Sequence, residues 1–218
     1  MFESVTVMGR GRVGSAVASR LLERGVRVEE SGELRLLCVP DSAISTVAAS
    51  IAPGPWVAHV SGATPLDALD PHRRRLSVHP LQTFTRRRGA EQLDGAFAAL
   101  TGESEDALAR AAWLAETLGL RGFELADDVR PLYHAGAAIA SNYLVTLQRA
   151  AARLLDGAGV PPDALVPLMR RTIENGFELT GPIARGDRET VERHLAAIRT
   201  AEPELEPMYT ALAEATAR

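Results

Sequence analysis

The chain has 218 residues, 46% of them hydrophobic and 24% charged, a composition typical of a soluble globular protein with room for two small domains. All 24 basic residues are arginines, and the lack of lysine excludes a Walker-type phosphate loop, a Schiff base and a lysine general acid. The net charge of −4 and the absence of a long apolar run argue against nucleic-acid and membrane partners, and the single cysteine argues against a disulfide framework or a cysteine-rich metal site. We therefore expect a cytoplasmic protein without a metal centre.

Short apolar runs alternate with helical patterns in the first part of the chain. Strands are predicted at residues 5–8, 34–39, 56–60, 97–100 and 122–125, and helices at residues 12–24, 41–51 and 104–119. Such alternation is typical of a parallel sheet with helices on its faces. Residues 1–126 are therefore predicted to form a Rossmann-like α/β domain.

Strand patterns are missing from the rest of the chain, which is rich in alanine and leucine. Helices are predicted at residues 131–158, 161–176, 187–200 and 203–216, with breaks at glycine and proline pairs. Residues 127–218 are therefore predicted to form a second, all-α domain.

A glycine-rich turn separates the first predicted strand from the first helix. Its glycines have the spacing G-x-G-x-x-G, in which the first permits a tight turn, the second admits a pyrophosphate and the third lets the helix pack on the strand. The residues predicted to bind the pyrophosphate of NADP or NAD are Gly9, Arg10, Gly11, Arg12, Val13 and Gly14. A tight turn without a ligand is the alternative.

The segment after the first helix is too short for an ordinary dinucleotide-binding domain. Glu29 and Glu30 lie about 20 residues after the glycine turn, where such domains carry an acid for the adenosine ribose. Only four residues separate Glu29 from the strand that begins at Leu34, too few for a crossover helix. Residues 26–29 are therefore predicted to be a connector below the sheet or an antiparallel strand.

Further candidate residues follow the later strands. Pro40 and Ser61 come directly after two predicted strands and are expected to line the nicotinamide end of the site, although ordinary turn chemistry also explains them. His79 precedes a proline, which holds it extended, and is either a proton donor to the substrate or a histidine bonded to backbone. The arginine triplets at residues 73–75 and 86–88 are either a solvated surface or an anion clamp.

The helical domain carries two more candidates. His134 and Asn142 lie on the helix predicted at residues 131–158, and a uniform four-residue spacing places both on one face, together with position 138. They are predicted to face the first domain as site residues, and a structural histidine is the alternative for His134. Residues 180–187 either bring Arg185 to a cleft or form a helix break with Asp187 as a cap.

The motifs GRGRVGSA, LLCVPDSAI, HVSGA, HPLQTF, LYHAGAAIASNYL and LTGPIARGD occur in this order along the chain. Together they resemble the bacterial Rossmann-like predicted oxidoreductases whose C-terminal half is a domain of unknown function, within the superfamily of pyrroline-5-carboxylate reductase and 6-phosphogluconate dehydrogenase. The resemblance implies a nicotinamide dinucleotide cofactor and a helical domain that forms a homodimer and closes the active site. It implies no particular substrate.

One departure from the superfamily concerns proton transfer. Its hydroxyacid dehydrogenases place a catalytic lysine one helical turn before an asparagine, and here Asn142 matches the asparagine while Ala138 stands at the lysine position. His134 or His79 is therefore the predicted proton donor, with Asn142 orienting the substrate. The predicted function is an NAD(P)-dependent oxidoreductase for a small anionic carbonyl or imine compound. The alternative is a non-catalytic dimeric ligand-binding or regulatory module with a degenerate nucleotide site.

Overall fold

The computed structural model describes residues 1–217, and the first part of the chain forms a seven-stranded sheet. Its strands are β1 (Ser4–Met8), β2 (Arg27–Val28), β3 (Leu34–Leu37), β4 (Trp56–His59), β5 (Arg75–Leu81), β6 (Phe97–Gly102) and β7 (Arg121–Glu124). They are ordered β2-β1-β3-β4-β5-β6-β7, and every neighbouring pair is parallel except β5 and β6. The predicted Rossmann-like sheet is confirmed.

Helices cover both faces of the sheet. The helices of this region are α1 (Arg12–Glu23), α2 (Ile44–Ala49), α3 (Glu105–Thr117) and α4 (Arg130–Ala138). The alternation of strand side chains divides the core, so that Leu34 and Leu36 pack with α1 and α3, whereas Leu37 packs with α2 and a short 3-10 helix at Leu66–Leu69. The carboxyl ends of β1, β3, β4 and β5 therefore meet at one edge of the sheet, between the two layers.

Strand β5 was not predicted, because Pro80 and an arginine triplet hide its pattern. It pairs with β4 only through Arg75, Leu76 and Ser77, so Pro80 lies beyond the end of β4, where a missing N–H removes no hydrogen bond on that side. Arg75 is buried and forms ion pairs with Asp70 and Glu103, at 2.6 and 2.7 Å. It therefore belongs neither to a solvated surface nor to an anion clamp.

Both predictions for the segment after α1 were wrong, because β2 pairs with β1 in parallel. Val28 at the end of β2 and Leu34 at the start of β3 both pair with Val5, from opposite sides of β1. Because β2 ends level with the start of β3, the chain only has to cross β1 and does not have to return along it. The crossing is direct, since a Cβ atom added to Gly32 would lie 2.6 Å from the carbonyl carbon of Val5. The backbone N–H of Gly32 donates to Oγ1 of Thr6 at 3.0 Å. The predicted lack of a crossover helix is confirmed.

The chain divides into two compact units, Met1–Ile139 and Ala140–Arg218. The second unit contains α5 (Leu144–Gly157), α6 (Leu165–Glu174), α7 (Arg188–Ala201) and α8 (Glu206–Thr216), and its predicted all-α character is confirmed. The functional domain boundary at residues 126 and 127 stays a prediction. No helix within residues 1–217 is long and apolar enough to cross a membrane.

Candidate functional site

The three glycines of the turn after β1 have three different surroundings. Gly9 has a φ of +107°, and an added Cβ would lie 2.4 Å from the carbonyl oxygen of Cys38. A Cβ on Gly14 would lie 1.9 Å from the carbonyl oxygen of Gly9, so α1 presses directly on the turn. Around Gly11, in contrast, no described atom lies within 4 Å of an added Cβ. Gly9 and Gly14 are therefore required by the fold, while Gly11 borders open space that a ligand can occupy.

The N-terminus of α1 fits an anion. Gly11 is its N-cap, and within the described residues no side chain caps its free N–H groups and no acid lies in its first turn. Arg10 and Arg12 are exposed beside it. The side chain of Val13 packs against the core, which leaves only its backbone for a ligand. These residues fit the pyrophosphate of a dinucleotide.

The acids predicted for the adenosine ribose, Glu29 and Glu30, do not reach the carboxyl edge of the sheet. The backbone N–H of Glu29 donates to the carbonyl oxygen of Val5 at 3.1 Å, whereas β1 continues to Met8 before the glycine turn. Three residues of strand correspond to about 10 Å, so Glu29 and Glu30 lie about that far below the turn along β1. Glu29 and Glu30 therefore do not lie at the edge where an acid for the ribose would be needed.

Pro40 and Ser61 follow β3 and β4 at the carboxyl edge. Pro40 is exposed, whereas Ser61 is buried. The Ser61 hydroxyl donates to Oγ1 of Thr64 at 2.9 Å and accepts from the backbone N–H groups of Ala63 and Thr64, at 3.2 and 3.0 Å. This uses its one donor and both acceptors, so the side chain serves its own turn and only the backbone of Ser61 is available to a ligand.

The structure brings His79 and His134 together over Gly62. The two imidazole centroids lie 6.2 Å apart. A Cβ atom on Gly62 would lie 2.6 Å from Cε1 of His79 and 2.8 Å from Cδ2 of His134. A residue other than glycine would therefore push the rings away, so the glycine of the HVSGA motif makes room for both histidines.

Tyr133 completes this cluster, although the sequence assigned it no role. Its hydroxyl lies 2.7 Å from Nδ1 of His79, a hydrogen bond between α4 and β5. Burial lowers the pKa of His79 to about 4, and the charges of His134 and Arg130 act in the same direction while Asp41 opposes them. Burial also raises the pKa of Tyr133 to about 12. Near neutral pH both members of the pair are therefore uncharged.

A buried arginine supports the cluster from below. Arg130 is fully buried, and its Nε donates to Oδ1 of Asp127 at 2.6 Å while Nη1 donates to the carbonyl oxygen of Ser61 at 3.1 Å. The second oxygen of Asp127 accepts from the backbone N–H of Leu66 at 2.9 Å. In the described part of the chain, Nη2 of Arg130 has no hydrogen-bond partner. This arginine ties the start of α4 to the turn that carries Ser61 and Gly62.

His59 at the end of β4 is the second buried residue that sequence reasoning missed. Its Nδ1 accepts from the backbone N–H of Ser61 at 3.2 Å, and within residues 1–217 its Nε2 has no hydrogen-bond partner. Burial, followed by the charge of Arg130, lowers its pKa to about 3. The sequence signal for His59 was a histidine in the otherwise apolar strand WVAH. The signal for Arg130 was an acid, Asp127, three residues before a helical arginine.

Asn142 lies in the second unit, within the π-helical segment Ile139–Tyr143. A π-turn contains an extra residue, so the uniform four-residue spacing predicted between positions 138 and 142 does not hold there. The side chain of Asn142 is exposed, and its role stays a prediction. Further along, Asp187 caps α7 by accepting from the backbone N–H of Thr190 at 3.1 Å, as the helix-break interpretation predicts.

Comparison with known proteins supports the fold assignment. The family model described as Domain of unknown function (DUF2520) matches residues 96–216, and no curated protein sequence matches the chain. The chain is similar in structure to a protein of Bacteroides fragilis provisionally assigned as an NADP oxidoreductase, with 21% identity, a TM-score of 0.84, and 99% of this chain and 98% of that one covered. For a Thermotoga maritima protein, the identity is 21%, the TM-score is 0.79 and the coverage is 98% and 100%.

A third similar structure is the 1-pyrroline-5-carboxylate reductase of Streptococcus pyogenes, with 16% identity, a TM-score of 0.63, and 98% of this chain and 96% of that one covered. Identities this low establish a shared fold. The predicted resemblance to Rossmann-like oxidoreductases with a C-terminal domain of unknown function is confirmed.

Proposed function

The chain belongs to the family described as Domain of unknown function (DUF2520), and we propose that it is an NAD(P)-dependent oxidoreductase for a small carbonyl or imine compound. It shares its fold with nicotinamide-dependent reductases, which supports this proposal. The observation that carries the proposal is the position of two features at one edge of the sheet. The glycine turn follows β1, and the cluster of His79, Tyr133 and His134 surrounds the turn after β4. Ligands of open α/β sheets bind at such an edge.

The glycine turn supports a dinucleotide cofactor, which would supply or accept a hydride when bound. The open space at Gly11 and the uncapped N-terminus of α1 suit its pyrophosphate. Pro40 and the backbone of Ser61 would line the nicotinamide end. The shortened segment after α1 leaves the choice between NADP and NAD to residues other than Glu29 and Glu30.

In this proposal the histidine cluster handles the proton. Uncharged His79, fixed through Nδ1 by Tyr133, presents Nε2 beside Gly62 and can donate a hydrogen bond to a carbonyl oxygen or imine nitrogen there. His134 is exposed, so it can exchange protons with water and deliver one as the substrate is reduced. We assign His79 to polarising the substrate and His134 to donating the proton.

Asn142 would orient the substrate, an assignment that rests on its match to the asparagine of the hydroxyacid dehydrogenases. All strongly basic residues of the chain are arginines, whose guanidinium groups suit carboxylates and phosphates, and several of them lie near the glycine turn. We therefore propose an anionic substrate.

We further propose a homodimer formed through the helical unit. Among the described residues of that unit, the buried hydrophobic side chains are Ala150, Leu165 and Ile198 alone. In contrast, Leu168 is 63% exposed and Phe177 is 71% exposed. Apolar surface of this extent is typical of an interface with another chain.

Calorimetric titration of the intact protein with NADPH, NADH, ADP-ribose and AMP tests the proposal. Binding of a whole dinucleotide with a Kd on the order of micromolar supports it. If no nucleotide binds at about millimolar concentration, the oxidoreductase proposal fails, and the non-catalytic module becomes the better hypothesis. A spectrophotometric screen of aldehydes, ketones and cyclic imines with the cofactor that binds then identifies the substrate class.

A further inference from the structure

A pocket of about 300 Å³ opens beside the glycine turn. One wall is formed by the glycine turn and the start of α1, with Arg10, Arg12, Ser15 and Ser19. The opposite wall is the loop that follows β5, with Arg86 and Arg88. The pocket thus adjoins the turn that holds the pyrophosphate in the proposed function.

The charge of this pocket is strongly one-sided. Four arginines line it, and within residues 1–217 no lining residue is acidic. Arg88 pairs with Glu91 at 3.4 Å, but in the described part of the chain Arg10, Arg12 and Arg86 form no ion pair. Four neighbouring guanidinium groups repel one another in a protein whose net charge is −4. An anion between them would relieve that repulsion.

The buried arginines of the first unit, in contrast, are neutralised in the fold. Arg20 pairs with Glu23 and Asp94, at 2.9 and 2.6 Å, and the two ion pairs of Arg75 are as short. Among the described residues, Arg10, Arg12 and Arg86 of the pocket differ from these buried arginines in having no acid beside them. A bound anion would supply the pocket arginines with the partner that the buried arginines have within the fold.

The loop wall is held in place by a buried glutamine. Gln92 is 2% exposed, and its Oε1 accepts from the backbone N–H of Thr85 at 2.7 Å. Its Nε2 donates to the carbonyl oxygens of Arg88 and Gly89, at 2.9 and 3.0 Å. Arg20 adds an anchor to α1 by donating to the carbonyl oxygen of Ala90 at 2.9 Å. The loop therefore presents its arginines from a preorganised backbone.

We propose that this pocket binds a phosphoryl group next to the dinucleotide site. Arginine forks and the hydroxyls of Ser15 and Ser19 match the several oxygens of a phosphomonoester dianion, and the positive end of α1 adds to the attraction. The phosphoryl group comes either from the 2′-phosphate of NADP or from a separate phosphorylated compound. In the first case the proposal deepens, and rests on, the proposed function, and it makes the protein selective for NADP over NAD.

The loop offers a matched control for the test. Arg86 and Arg88 line the pocket, whereas Arg87 between them is exposed and does not. Titrations of the intact protein would use NADPH, NADH, 2′-AMP, 5′-AMP and inorganic phosphate with the wild type and with Arg86→Ala, Arg88→Ala and Arg87→Ala. Thermal melts would check that all variants fold.

If the 2′-phosphate is the occupant, Arg86→Ala and Arg88→Ala each weaken NADPH and 2′-AMP about tenfold, while NADH and 5′-AMP change little. If a separate compound is the occupant, the same variants weaken inorganic phosphate in the presence of saturating NADH. Arg87→Ala changes every affinity by less than about twofold in both cases. The proposal is overturned if no phosphate probe distinguishes Arg86→Ala and Arg88→Ala from Arg87→Ala.

The outcomes also separate this proposal from the oxidoreductase function. Dinucleotide binding that is insensitive to Arg86 and Arg88 would remove the phosphoryl site and leave the cofactor proposal standing. Phosphate binding that depends on Arg86 and Arg88, in a protein that binds no dinucleotide, would support the phosphoryl site and contradict the cofactor proposal. Gln92→Ala should weaken the same phosphate probes as Arg86→Ala, since it releases the loop without removing a charge.

Discussion

Nδ1 of His79 lies 2.7 Å from the hydroxyl of Tyr133, which joins the end of β5 to α4. The rings meet edge to face, with centroids 5.5 Å apart and planes inclined at 87°. This contact fixes one nitrogen of the imidazole and leaves the other beside Gly62. An uncharged histidine held in this way is a defined hydrogen-bond donor or acceptor, whose action depends on its tyrosine partner.

Removing the tyrosine hydroxyl tests that dependence. We expect Tyr133→Phe to lower kcat on an identified substrate about tenfold to a hundredfold with a smaller change in KM, because His79 loses the partner that orients it. Tyr209→Phe is a matched control, since the Tyr209 hydroxyl also lies 2.7 Å from a histidine Nδ1, that of His194 in the helical unit. Equal loss of activity in both variants would contradict a specific role for Tyr133.

Acidification should destabilise the protein through its buried histidines. Burial lowers the pKa of His59 to about 3 and that of His79 to about 4, from 6.5 when unfolded. The unfolded chain therefore binds more protons between pH 6.5 and 4, so this stability is present above pH 6.5 and is lost as the pH falls. Urea unfolding at pH 7 and pH 5 should show a loss of about 1–2 kcal/mol for each histidine.

His79→Gln should reduce the loss of stability between pH 7 and pH 5 by the contribution of one histidine. NMR titration of the wild type would follow the protonation of both imidazole rings directly. Stability that stays constant between pH 7 and pH 5 would contradict the buried, uncharged state of both histidines.

Local patterns predicted the parts of the site that depend on local backbone. The glycine turn was predicted because Gly9, Gly11 and Gly14 have roles set by a turn and one helix. Strand β2 was assigned the wrong pairing because its register with Ser4 and Val5 depends on contacts distant in sequence. In the same way, the bonds from Arg130 to Asp127 and Ser61 form only once α4 packs near β4, and no periodicity reveals them.

The crossing after α1 depends on the absence of a side chain at Gly32. We expect Gly32→Ala to lower the free energy of unfolding by about 1–3 kcal/mol, because its Cβ would lie 2.6 Å from the Val5 carbonyl carbon and backbone must move. Gly157→Ala in α5 is the control, since no described atom lies within 4 Å of its added Cβ. Urea denaturation of both variants is the measurement, and equal stability would show that the crossing tolerates a side chain.

Two glycines of the turn should separate folding from binding. Gly14→Ala should destabilise the protein and abolish dinucleotide binding together, because its Cβ would lie 1.9 Å from the carbonyl oxygen of Gly9. Gly11→Ala should cost no more than about 1 kcal/mol of stability, since its Cβ meets open space and only the helix cap is weakened, yet it should weaken dinucleotide binding by occupying that space. Thermal melts and calorimetry report the two properties. Unchanged binding in folded Gly11→Ala would place the ligand elsewhere.

The ion pair between buried Arg130 and partly exposed Asp127 should affect both stability and the histidine cluster. Asp127→Asn leaves the fully buried Arg130 without its counter-charge and should cost about 3–5 kcal/mol of stability. Arg130→Met should cost less, about 1–3 kcal/mol, because Asp127 is partly exposed and keeps its hydrogen bond from Leu66. Their effects on His79 should differ, because the charge of Arg130 is one of the causes that lower the pKa of this histidine. Arg130→Met should raise that pKa toward its ordinary value, whereas Asp127→Asn keeps the guanidinium and should not raise it. NMR titration of His79 at low temperature, where both variants stay folded, separates an electrostatic role for Arg130 from a purely structural one, which would leave the His79 pKa the same in the two variants.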